Sequence, residues 1–166
     1  VCGLSSGKKS RLSWIEKERN VDVFDVKKDV VQTLIEAGYK SEEFFIDPGP
    51  DAHERLQEAM IIMNEGDTLT IRSGYYAFED GLSLDIDNVI IKGEGMNETI
   101  LNFKNQQSGA QGFLVTSNKV TLKDFAIMDA KGDALKVIGS KGINMINLRT
   151  EWTGGPKSTN GAYGFY

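Results

Sequence analysis

Two six-residue blocks constrain the fold more than any other feature of the chain. Val120-Thr121-Leu122-Lys123-Asp124-Phe125 runs apolar, any, apolar, any, turn-former, apolar, and Ile143-Asn144-Met145-Ile146-Asn147-Leu148 repeats the pattern at an offset of 23 residues. Val89-Ile90-Ile91-Lys92-Gly93 is an earlier partial copy. Alternation at period 2 puts the apolar side chains on one face of a strand. Gly93, Asp124 and Asn147 are residue types that tolerate left-handed backbone, so each block reads as a short strand that turns a corner and continues as another. A period of this size is one coil of a solenoid. One coil cannot bury its apolar face alone, so copies must stack, and the stack presents a long wall of parallel strands.

The rest of the chain supplies the ends of such a stack. With 166 residues, 40% of them hydrophobic, one sizeable core is expected. Eighteen glycines against three prolines suit an architecture with many tight corners. Residues 1–45 read as a polar arm containing one short helix, in which Val26, Val30, Leu34 and Ala37 recur at helical spacing and Gly38 marks the stop. Residues 44–46 read as a short strand or plug before Asp47-Pro48-Gly49-Pro50. A second helix is expected over 51–64, with Asp51 and Glu54 as a capping box and Leu56, Met60 and Met63 on one face. Placed just before the first coil, it would act as a lid. Strands are expected over 68–71, 82–86, 89–92, 99–103, 113–116, 120–122, 125–128, 135–138, 143–146 and 148–152, with a further one beginning at 162–166. The Gly-rich pieces 105–112 and 154–161 are longer than plain corners and are expected to protrude.

At this point the chain resembles the right-handed parallel β-helix proteins of the pectate-lyase-like group. The resemblance runs from the 51–64 helix through Glu65-Gly66-Asp67-Thr68, Ser73-Gly74-Tyr75-Tyr76, the 82–95 segment and Thr99-Ile100-Leu101-Asn102-Phe103. The later stretches 149–157 and 160–164 look like a subgroup of exported bacterial β-helix repeat proteins, often lipoproteins, of unassigned activity. The resemblance spans roughly 51–166 and implies an all-β, right-handed parallel β-helix over 46–166, with an amphipathic capping helix and incomplete at its C-terminus. The group includes lyases, hydrolases, epimerases and binding proteins, so it does not choose an activity. The Asp-Pro-His-Asp signature of the alginate-epimerase branch is absent from this sequence.

Charge narrows the partners. The net charge is −5, but from Lys131 onward Lys131, Lys136, Lys141, Arg149 and Lys157 stand against Asp133 and Glu151 only, a local +3 that leaves −8 on the remainder. An acidic body argues against nucleic acid, while a basic strip on it can hold a polyanion such as a uronate polysaccharide. No apolar run is long enough to span a membrane. The lone cysteine, Cys2, beside Gly3 and a Ser-Gly-Lys-Lys stretch, admits two readings: the lipid anchor of an exported lipoprotein, in periplasm, outer membrane or outside the cell, or a free thiol near the start of the chain.

Removing a proton beside a uronate carboxylate needs a base and a neutralising cation. Arg149, Lys157 and Tyr163 are the candidates for those catalytic roles, and Glu151, Trp152, Asn160 and Tyr166 for ligand contact, Trp152 as a stacking platform for a sugar ring. The bland alternative is a surface loop in which Arg149 pairs with Glu151 and Trp152 packs into a corner. Asp129, Asp133 and Glu151 are the carboxylates a hydrolase would use, and Asp129 with Asp133 the nearest thing to a Ca²⁺ site; no cofactor and no clustered His or Cys metal site is expected. Two functions stay open: recognition or processing of an acidic polysaccharide, as a lyase or epimerase-like enzyme or as a binding protein, or a non-enzymatic envelope protein whose wall docks a protein partner.

Overall fold

The computed structural model describes residues 41–166. The expected helix after Asp25 and Cys2, the residue considered for a lipid anchor, lie outside the described residues. The described part is mostly β, with one short helix and parallel strands in a curled, solenoid-like sheet. In chain order the elements are β1 (Glu43–Ile46), α1 (Ala52–Ile62), β2 (Thr68–Ile71), β3 (Gly74–Ala77), β4 (Leu82–Leu84), β5 (Ile90–Lys92) and β6 (Thr99–Asn102). They continue with β7 (Gln111–Val115), β8 (Thr121–Met128), β9 (Asp133–Val137) and β10 (Asn144–Glu151).

Every named pairing is parallel, and the registers define three walls. On the first, Thr68, Ile90, Thr121 and Asn144 pair in succession. On the second, β3 pairs β6 and β6 pairs the second half of β8, which in turn pairs the second half of β10. On the third, β4, β7 and β9 form a separate sheet that an isolated parallel bridge extends from Leu135 to Phe165. The 23-residue offset read from the two blocks is the register of β8 and β10, Thr121 opposite Asn144.

The corner between the first two walls explains why β8 and β10 are each one bent strand where the sequence suggested two. Asp124 and Asn147 adopt φ of 61° and 49°, so the strand turns without losing its ladder. Asn147 Nδ2 donates to Asp124 Oδ1 at 3.0 Å across the coils. Gly93 serves the same corner for a different reason: it has no left-handed φ, but a Cβ there would stand 2.2 Å from the Asp124 carbonyl oxygen. Close approach, not backbone freedom, demands glycine at 93.

Inward columns build the core. Leu69, Ile91 and Leu122 stack on the first wall, Tyr76, Leu101 and Ile127 on the second, Leu82, Phe113 and Leu135 on the third, and all nine are buried. Each removes roughly 2 kcal/mol of apolar surface from water. α1 packs against β1, β3 and β4, the first members of their walls, and buries Ala52, Leu56, Ala59 and Met60, with Met63 just beyond. The methionine face therefore seals one end, as its spacing indicated.

The capping box did not form. Asp51 sits at the N-cap position without a side-chain cap bond, and its carboxylate lies 3.1 Å from Arg55 Nε instead. An Arg one turn on outcompetes the backbone N–H groups for the carboxylate. The 105–112 piece also protrudes less than expected: Gln106 is buried, donates to Gln111 O at 2.8 Å and accepts from the Lys131 N–H at 3.2 Å, which lays the loop on the neighbouring coils. Among the described residues, no helix is long and apolar enough to cross a membrane.

Candidate functional site

Past the end of β10 the chain makes two tight turns. The Gly155 N–H donates to Trp152 O at 3.1 Å, and the Asn160 N–H donates to Lys157 O at 3.1 Å. Asn160 Nδ2 then braces the pair by donating to Gly155 O at 2.9 Å. Gly155 takes φ of 71°, which an L side chain resists. The turns and the end of β10 border a shallow, open cleft of about 680 Å³ lined by Thr150, Glu151, Trp152, Pro156, Lys157 and Asn160, among others.

Trp152 is the fixed part of this cleft. Its indole is half-buried against the core, and Nε1–H donates to Ala130 O at 2.7 Å. One edge of the ring is thereby satisfied and its orientation set, which leaves an apolar surface toward the cleft at little further entropic cost. Below it, Asp129 ties the turn to the wall. Its carboxylate accepts from the Thr153 N–H at 2.7 Å, from the Thr153 hydroxyl at 2.8 Å and from Asn102 Nδ2 at 3.0 Å. Burial alone would raise its pKa, but the Thr153 and Asn102 bonds outweigh it and hold the carboxyl below the ordinary value.

Of the seven residues singled out from sequence, Glu151, Trp152, Lys157 and Asn160 line the cleft. The other three do not. Arg149 points along the outside of the second wall, where it pairs with Glu151 and donates from Nε and Nη2 to Met96 O at 3.4 and 3.3 Å. Tyr163 packs at a tilt of 47° against Tyr166 with centroids 5.3 Å apart, and Lys136 Nζ lies 4.6 Å from the Tyr166 ring centroid. That trio sits beside β9, where Tyr163 O and Tyr166 O accept from the Ala134 and Val137 N–H groups.

The carboxylates considered for hydrolysis have separate partners: Asp129 has Thr153 and Asn102, Asp133 is 3.3 Å from Lys136 Nζ, and Glu151 has Arg149. Among the described residues no group of three or more His, Cys, Asp and Glu is placed to hold a metal. The basic run also disperses. Lys136 belongs to the third wall, Arg149 to the second and Lys157 to the loop, because the sequence distances between them carry the chain part of the way round a coil.

Thr150, Pro156 and Gly161 were missed as cleft residues. Gly161 carried a usable signal: a Cβ there would lie 1.7 Å from Gly132 O, and one at Gly132 would lie 1.4 Å from Ala110 O. Small residues recurring at coil intervals mark such a contact seam. Comparison with protein-family models, with curated proteins and with solved structures gave no significant match.

Proposed function

We propose that the coils wind as a right-handed parallel β-helix of the pectate-lyase-like kind, that the protein is exported to the bacterial envelope, and that the cleft after β10 binds an acidic polysaccharide. The single observation carrying the ligand reading is the pinned Trp152 indole beside Lys157 in a 680 Å³ cleft, a size in the range of small-ligand sites. A flat apolar ring suits the C–H face of a pyranose, and an ammonium suits its carboxylate. Arg149 already balances Glu151, so Lys157 gives the cleft its net positive charge. Binding is favoured over lyase or epimerase chemistry because Arg149 and Tyr163, the expected cation and base, are engaged elsewhere.

Calorimetric titration with uronate oligomers tests this. The expected result is salt-sensitive binding that Trp152→Ala weakens about tenfold or more; no binding to any uronate or sulfated polymer overturns it. Release of unsaturated oligosaccharide would instead assign a lyase. A second reading has its own support: Phe45, Ile90 and Ile146 are exposed on the outer face of the first wall, a surface that suits an envelope protein partner. A stoichiometric partner retained by both Trp152→Ala and Lys157→Ala variants would favour that reading.

A further inference from the structure

Resting on the cleft reading above, we propose that Gly154 is a specificity-determining position, whose bare Cα is the seat over which the Lys157 arm folds and so aims its ammonium at a ring-borne carboxylate of the ligand. A Cβ at position 154 would stand 2.9 Å from Lys157 Nζ, 3.3 Å from Cε and 3.9 Å from Cδ, the three atoms nearest to it. The backbone at 154 does not need glycine, since its φ is outside the left-handed region that Gly155 occupies. The side chain that 154 lacks would therefore press first on the tip of one lysine, a flexible end that can swing aside.

The lysine is held at its base and free at its head. Its carbonyl accepts the Asn160 N–H and Asn160 ties back to Gly155, so the Cα of residue 157 is fixed by two turns. Lys136 and Arg149 are committed to Asp133 and Glu151, whereas no ion pair among the described residues takes Lys157. An ammonium is a point charge on a flexible stem, so its direction is set by what the stem rests on. Gly154 supplies that rest, and it separates carboxylated from neutral sugar chains by position alone.

The experiment compares wild type, Gly154→Ala, Lys157→Ala and Lys157→Arg, each titrated with galacturonate, mannuronate and glucuronate oligomers and with the methyl esters of the same oligomers. Wild type is expected to prefer acid over ester by roughly five- to tenfold. Gly154→Ala is expected to lose most of that preference, as Lys157→Ala does, while its Tm and its ester affinity stay at the wild-type level. Lys157→Arg in the Gly154 background is expected to keep part of it. The ¹³Cε resonance of Lys157, read in ligand-free protein, is expected to shift in Gly154→Ala. An unmoved resonance, or an unchanged acid preference in Gly154→Ala alongside its loss in Lys157→Ala, overturns the role of Gly154 and leaves the cleft reading standing. Failure of wild type to bind any of the acids overturns both.

Discussion

The two ends of the coil stack are made of the same kinds of residue and behave differently. At the first end, Leu56, Met60 and Met63 of the helix region lie over the opening strands, and Leu69 behind them is fully buried. At the other end, Met145 continues the same inward column as Leu69, Ile91 and Leu122, yet it is 42% exposed. Phe165, bridged to the buried Leu135, is similarly uncovered. In a stack, burial is supplied by the coils above and below. The depth of an inward-pointing residue is therefore set by the coils packed on either side of it, and periodicity in the sequence reports direction, not depth.

The largest test of this contrast sets Leu122→Ala against Met145→Ala. Leu122 is enclosed between Ile91 and Met145, so its truncation should cost about 3–5 kcal/mol, while Met145→Ala should cost under about 1 kcal/mol. Urea denaturation of both variants checks it, and equal losses would mean that the last coil is as well covered as the interior. Next in size is Leu56→Ala, expected to cost about 2–3 kcal/mol if the helix is a working seal. A loss below about 1 kcal/mol would reduce α1 to an attachment.

Tyr76 sharpens the picture at the sealed end. Its hydroxyl donates to a shared pair of acceptors, Ile46 O and Arg72 O, each at 2.9 Å. Burial, with the Asp47 charge, pushes its pKa up to about 12. The neutral phenol is the form the fold keeps, so this contribution is present below the unfolded value near 10 and is lost as pH rises toward 12. Tyr76→Phe should cost about 1 kcal/mol at neutral pH and flatten the alkaline fall in Tm.

The smallest effect belongs to the last coil. The Asp129 carboxyl is held down by Thr153 and Asn102, so the charged form is the folded one. Its contribution is present above the ordinary carboxylate value and is lost as pH falls through the lowered folded value. Carboxyl NMR titration should place the Asp129 midpoint below that of an unperturbed Asp, and Thr153→Val should raise it. A midpoint that Thr153→Val does not move would detach the cleft turn from the wall.

What was legible in the sequence follows the same physics. The β8 and β10 blocks gave direction, register and the left-handed corners at Asp124 and Asn147 because these depend on a few local residues. β3 went unread: Gly74-Tyr75-Tyr76-Ala77 carries one buried side chain among partly or fully exposed ones, and a Gly at its start looks like a turn. The cleft was half legible. Trp152, Lys157 and their neighbours are contiguous and fold back on themselves, so proximity in sequence became proximity in space. Arg149 and Tyr163 are close in sequence too, but a coil carries them to different walls, and no local pattern records that.

Arg149 has a consequence for how the stack loosens. Its guanidinium reaches Met96 O, on the loop before β6, while the strand that bears it pairs only with β8. A repeat array with purely adjacent coupling frays from its tip one layer at a time. A tether that bypasses a layer makes peeling of the outermost layer perceptible two layers down, so amide exchange around residue 96 should quicken when position 149 is cut back to alanine.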